Sequence, residues 1–282
     1  MEGFSTPDTR SDRLVLEANP DYWDTARFPR LKRIIFDNTL GQKEAVELVK
    51  TGEGRVDLVS DLSPLDTLRV AQSPFAKVVK NRRALKPVIG MFNMRKTESP
   101  WVNVRLREAV NFAINREDLI RYAAKGNGVI IPAIVPAHSF GYDPDLPPYP
   151  FDPVKARQLL QDAGYSEGLA ITLIAPEDLV IQATVVGRML EQVGLTVDLR
   201  ILDPVAYNQK VFLSHLDQPP EQQAWDIALI SFYDDANFPV FIFYHETVLG
   251  GAYDWVIEEP ELRQLNEQVL RTVDREQQQE LI

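Results

Sequence analysis

The run Phe232-Tyr233-Asp234-Asp235-Ala236-Asn237-Phe238-Pro239 sets two aromatic rings beside two carboxylates. Apolar walls joined to acids are what a pocket needs to hold a cationic or amine-bearing organic molecule. The same composition also reads as a solvated acidic turn ahead of a proline. Catalytic readings have less support. The histidines are His138, His215 and His245, and none has a companion at triad or metal-ligand spacing. Tyr244-His245-Glu246 is a local trio able to hold a metal or relay a proton, and it reads equally as a solvated loop. Asp234 and Asp235 are adjacent, so they do not face each other across a bond as glycoside hydrolysis requires. Gly126-Asn127-Gly128 lacks the preceding strand and the third glycine of a phosphate-cradling loop. The expectation is a binder with no catalytic residue, metal or cofactor.

The elements that would position this run are legible from periodicity. The segment Trp225–Ser231 reads as a strand delivering Phe232, Tyr233 and Asp235 to its carboxyl end, where ligands gather in open α/β sheets. Before it, strand and helix alternate: a strand over 169–175, a helix over 181–193 stopped by Gly194, and a strand over 195–202. Asp152-Pro153 and Asp203-Pro204 each put a capping acid before a proline at the first helical position, so each opens a helix. Single helices between strands imply parallel pairing with right-handed crossovers. Trp225 and Tyr207 read as core packing.

Upstream, 13–17 and 31–36 read as strands, 42–50 as a helix, and 56–59 as a short apolar segment beyond its stop. These elements are too few to close a core by themselves, which suggests missing partner segments. A strand through Met91-Phe92-Asn93 leads to a helix with Leu106, Ala109, Val110, Ala113 and Ile114 on one stripe, then to a short helix capped by Asn115. Residues 126–150 read as a long surface loop. The tail 261–282 reads as one polar helix with Leu262, Leu265, Val269 and Val273 on its stripe.

Composition bounds the function. The 282 residues are 45% hydrophobic, enough for a real core, and the net charge of −11 argues against nucleic acid or any other polyanion as partner. There is no cysteine, which removes thiolate nucleophiles, disulfides and cysteine-bound zinc. The longest apolar stretches fall far below the roughly 20 residues needed to cross a bilayer. Met1-Glu2-Gly3-Phe4 carries no basic region followed by an apolar stretch, so no signal peptide is expected there.

Several long segments resemble the bacterial extracellular solute-binding proteins, family 5, of peptide and nickel importers. They are LVLEANPDYW from Leu14, LKRIIF from Leu31, Phe92-Asn93, VRLREAVNFAINREDLI from Val104 and GYDPDLPPYPFDPVKARQLLQDAGY from Gly141. The resemblance implies an α/β, periplasmic-binding-protein-like two-lobe fold of the class II type. Residues 1–89 would be the middle portion of a discontinuous first lobe, and residues 90–282 the second. The family's N-terminal part and its returning final segment would be absent, leaving the first lobe incomplete. It further implies the substrate-binding component of an ABC importer, not an enzyme: a monomeric, periplasmic or extracellular, membrane-associated lipoprotein that hands a small peptide or similar solute to a permease and its ATPase. A ligand-sensing module of a regulator is the alternative use of the same fold.

In the family's peptide binders an acid that follows the strand-end aromatic stands four residues before a proline and pairs with the peptide's amino group. Asp235 stands four residues before Pro239, with Phe232 where the family has tryptophan and Phe238 where it has an acid or small polar residue. The resemblance therefore implies Asp235, Phe232 and Tyr233 as ligand contacts, and a backbone or hinge role for Asn93.

Overall fold

A helix starts where a side chain can take up the amide protons its first turn leaves free. The computed structural model describes residues 11–80, 86–135, 137, 139–213, 219, 222–231, 255–257 and 259–282. In it Asp152 accepts from the amides of Val154 and Lys155, opening α5 (Pro153–Asp162). Asp203 does the same for Val205 and Ala206 at the head of α7 (Pro204–Val211). Each cap contributes about 1 kcal/mol. The chain divides into two units, residues 1–80 and 81–282, and the position between 89 and 90 falls inside a strand of the second.

In the first unit, β1 (Arg13–Glu17) and β2 (Arg33–Asp37) form an antiparallel pair with Arg13 opposite Asp37 and Glu17 opposite Arg33. Both pairs are ion-paired at the surface, at 3.3 and 3.4 Å. Ile34, Ile35 and Phe36 run consecutively, so apolar side chains stand on both faces of this ribbon, and all three are about half exposed. Helix α1 (Gln42–Thr51) ends at Gly52, whose φ of +70° is left-handed and whose missing side chain leaves room for the Phe75 ring. The segment 56–59 is irregular. The chain then enters α2 (Pro64–Ala71), which the sequence reading missed although Ser63-Pro64 carries the cap-then-proline signal; the Ser63 hydroxyl accepts from the Asp66 amide. Val46 of α1 and Val70 of α2 are the buried apolar side chains among this unit's described residues.

The second unit is built on a four-stranded sheet of order β3-β6-β4-β5. Its strands are β3 (Val88–Phe92), β4 (Leu169–Pro176), β5 (Leu195–Leu202) and β6 (Ile227–Ser231). β4 runs parallel to β5 and to β6, whereas β3 lies antiparallel along β6 at the edge. Gly168, with φ +94°, lets the entries to β4 and β5 approach: a Cβ there would lie 2.6 Å from the Gly194 carbonyl oxygen.

Alternation along β6 sorts the core into two layers. Ile227 and Leu229 face α3 (Val104–Ala113), α5 and α6 (Val180–Gln192), with Leu106, Leu160, Leu173 and Leu190 between them. Ala228 and Ile230 face α7, Trp225 and Trp255. Asn115 caps α4 (Arg116–Asp118), which runs into a wider π turn over Leu119–Ala123.

The tail is two helices, not one: α8 (Pro260–Arg271) and α9 (Arg275–Leu281). Val273 lies in the break with 95% of its surface exposed, and Asp274 caps α9 by accepting from Gln277. The short polar side chain of Asp274 takes up a free amide of the new first turn, so the chain restarts locally as a second helix.

Candidate functional site

The parallel strands β4, β5 and β6 bring their carboxyl ends to one edge of the second unit. β4 leads into Glu177 and Asp178, and β5 leads into Asp203. Asp178 is 3.1 Å from Lys86, which stands just before β3. Because β3 is antiparallel to β6, its first residue, Val88, pairs with the last of β6, Ser231. Among the described residues, then, this edge carries the carboxylates of Glu177, Asp178 and Asp203 against the ammonium of Lys86, a field that favours a cationic group in its vicinity. The α7 amides that could hold an anion are already occupied by Asp203.

Phe232, Tyr233 and Asp235 lie outside the described residues, as do Asp234, His138, His215 and His245. What is described is the base from which the first three extend. The Tyr207 hydroxyl donates to the Leu229 carbonyl at 2.7 Å, and the Trp255 indole donates to the Val211 carbonyl at 2.8 Å. The Trp225 and Trp255 rings meet edge to face at 4.6 Å. Tyr207 and Trp225 are thus core residues, as their positions imply, and they hold the end of β6 against α7. Among the described residues no group of three or more His, Asp or Glu side chains is arranged to hold a metal ion.

At the opposite end of the sheet lies a buried polar cluster that the sequence reading missed. Asp226, 4% exposed, receives the Lys96 ammonium at 2.9 Å and the Trp101 indole at 3.3 Å on one oxygen, and the Thr172 amide at 2.8 Å on the other. Asn93 is fully buried beside it: its side-chain amide donates to the Trp225 carbonyl, and its side-chain oxygen accepts from the amides of Arg95 and Lys96. The Asn93 backbone amide also donates to the Asp226 carbonyl. Asn93 therefore ties the end of β3 to the start of β6. One clue was available: Asp226 is a lone charge at the head of the apolar run Ile227–Ile230, where an acid persists only if it is fully bonded.

Arg116 is also drawn inward. It donates to the Asn111 side-chain oxygen at 2.7 Å and to the Asn111 carbonyl at 3.1 Å, and burial lowers its pKa from the ordinary arginine value.

This architecture is shared with solved periplasmic binding proteins. The chain superposes with a TM-score of 0.75 on NikA from Brucella suis in complex with Fe(III)-EDTA, at 19% identity, covering 99% of this chain and 57% of that one. On the periplasmic binding protein DppA from Helicobacter pylori in complex with the peptide STSA the TM-score is 0.73, at 18% identity, covering 97% and 52%. The fold is that of the two-lobed periplasmic solute-binding proteins. A family model, "Bacterial extracellular solute-binding proteins, family 5 Middle", matches residues 7–251, and the chain belongs to that family. Among curated relatives, the glutathione-binding protein GsiB of Escherichia coli O1:K1 is 29% identical over 204 residues, 69% of this chain and 37% of that protein. The chain thus spans a little over a third of that relative and about half of the solved structures. The family and these neighbours are binding proteins, not enzymes.

Proposed function

We propose that the whole protein is the substrate-binding component of an ABC importer, which captures a small peptide or related solute outside the cytoplasm and delivers it to a membrane permease driven by an ATPase. The observation that carries this reading is the family match over residues 7–251. In this reading residues 1–89 belong to a discontinuous first lobe and residues 90–282 to the second, whose sheet edge forms one wall of the binding cleft. Asp235 pairs with the ligand's amino group, and Phe232 and Tyr233 flank it. The acidic edge formed by Glu177, Asp178 and Asp203 favours an ammonium-bearing ligand and supports that assignment. The carrier works as a monomer, periplasmic or extracellular and membrane-associated, where the permease collects its cargo.

A thermal-shift screen of the whole gene product against dipeptides, oligopeptides, glutathione and nickel chelates tests this, because a ligand that binds the native state raises its apparent stability. A shift with a peptide that Asp235→Ala abolishes supports both the function and the amine-pairing role. Stabilisation only by nickel chelates would move the solute class to metal complexes, and no shift with any candidate would overturn the reading.

A further inference from the structure

The strand order puts β6 between β3 and β4, so those two lie two strand spacings apart, roughly 10 Å. Val88, first in β3, pairs with Ser231, last in β6, and Leu173 and Ile174 of β4 pair with Ile227 and Ala228 of β6. Lys86 stands just before β3 and Asp178 just after Pro176, the last residue of β4, so both lie past the carboxyl end of β6. Their side chains meet at 3.1 Å. An ion pair that joins the start of β3 to the end of β4 therefore arches over the end of the strand between them. That place is outside the carboxyl ends of the strands, where ligands bind in open α/β sheets.

The Lys86 side chain is 42% exposed and that of Asp178 is 55% exposed. An ion pair so open to water is held weakly and exchanges partners readily. The lysine ammonium is also the same chemical group as a peptide's protonated amino terminus, a compact cation with three donors on one nitrogen. Lys86 thus holds, over the end of β6, the kind of charge that an amine-bearing solute brings to this edge.

We propose that Lys86 is the resident counter-ion of Asp178 in the unliganded protein, and that a ligand's ammonium displaces it on binding. The three donors of the incoming cation serve Asp178 as well as Asp235, while the flexible Lys86 stem swings its own ammonium into water. Lys86 is then a selectivity residue. A solute with no cation to exchange leaves Asp178 with Lys86 and gains nothing there, whereas one with an amine takes the carboxylate over. The inference rests on the reading that the solute carries an amine and binds at this edge.

Isothermal titration of the whole gene product tests it, using the most stabilising peptide of the thermal-shift screen, once with a free amino terminus and once N-acetylated. At low ionic strength Lys86→Met is expected to bind the free peptide about three- to tenfold more tightly than the wild type, and the acetylated peptide equally well. Added salt should shrink the gain, and Lys86→Arg, which keeps the cation, should behave as the wild type. In an Asp178→Asn background Lys86→Met should lose most of its gain, because the two side chains act as one pair. Both side chains are exposed, so these variants are expected to fold as the wild type does. Wild-type binding of the free peptide with no gain in Lys86→Met overturns this inference alone. So does a gain that is equal for the acetylated peptide, or one that persists in full without Asp178. Equal wild-type affinity for the two peptides, or no binding of either, overturns the amine-binding reading and this inference with it.

Discussion

Replacing Asp226 by alanine removes the acceptor of three donors at once. The Thr172 amide and the Trp101 indole, both inside the core, lose their partner, and each orphaned donor costs about 1–3 kcal/mol. The Lys96 side chain is 31% exposed and can turn its ammonium to water, so it adds little. The sum, centred near 4 kcal/mol, agrees with the roughly 3–5 kcal/mol measured when one partner of a buried ion pair is removed. For a unit of this size that corresponds to a melting-point loss on the order of 10 °C. Asp226→Asn keeps one acceptor oxygen and is expected to cost about half as much. Lys96→Met leaves the carboxylate two neutral donors and should cost about 1–3 kcal/mol, less than Asp226→Ala. Urea denaturation followed by circular dichroism reads all three. A loss below about 1 kcal/mol for Asp226→Ala would refute the view that this cluster ties β3 to β6.

Other expectations follow from single sites. Gly168→Ala forces a Cβ to within 2.6 Å of the Gly194 carbonyl at a positive φ, so calorimetry should show a loss of about 2 kcal/mol or more; a neutral result would place the strand entries farther apart. Tyr207→Phe strands the Leu229 carbonyl and should cost about 1 kcal/mol by chemical denaturation. The Asp37 carboxyl is held below its ordinary pKa first by the Thr39 hydroxyl, then by the Thr39 amide and Arg13. Its folded value lies below its unfolded one, so its contribution is present above the unfolded pKa and is lost as pH falls through the folded one. An NMR titration should find Asp37 ionising below a free aspartate, and Thr39→Val should move it back up.

How far the sequence carried depended on how local each signal was. Asp152-Pro153 and Asp203-Pro204 cap helices through atoms two and three residues away, so their effect is legible in a short window. Ser63-Pro64 has the same form and opens α2 in the same local way. The cluster around Asp226 was invisible for the opposite reason: its partners Lys96, Trp101 and Thr172 stand 130, 125 and 54 residues away. The antiparallel placement of β3 was likewise unreadable, since no periodicity within Val88–Phe92 records which neighbour it pairs with. Local alternation did give the parallel run of β4, β5 and β6, and with it the edge where the candidate site should lie. For Asp235, Phe232 and Tyr233, family resemblance remains the support.

The central claim, capture of an amine-bearing solute by an importer's binding protein, is tested most directly by isothermal titration of the whole gene product with the most stabilising peptide from the thermal-shift screen, once with a free amino terminus and once N-acetylated. Losing the amine's charge-assisted bond to the Asp235 carboxylate should weaken binding by about 1.5–3 kcal/mol, roughly 10- to 150-fold. Equal affinity for the free and the acetylated peptide, or no heat with either, would contradict the account.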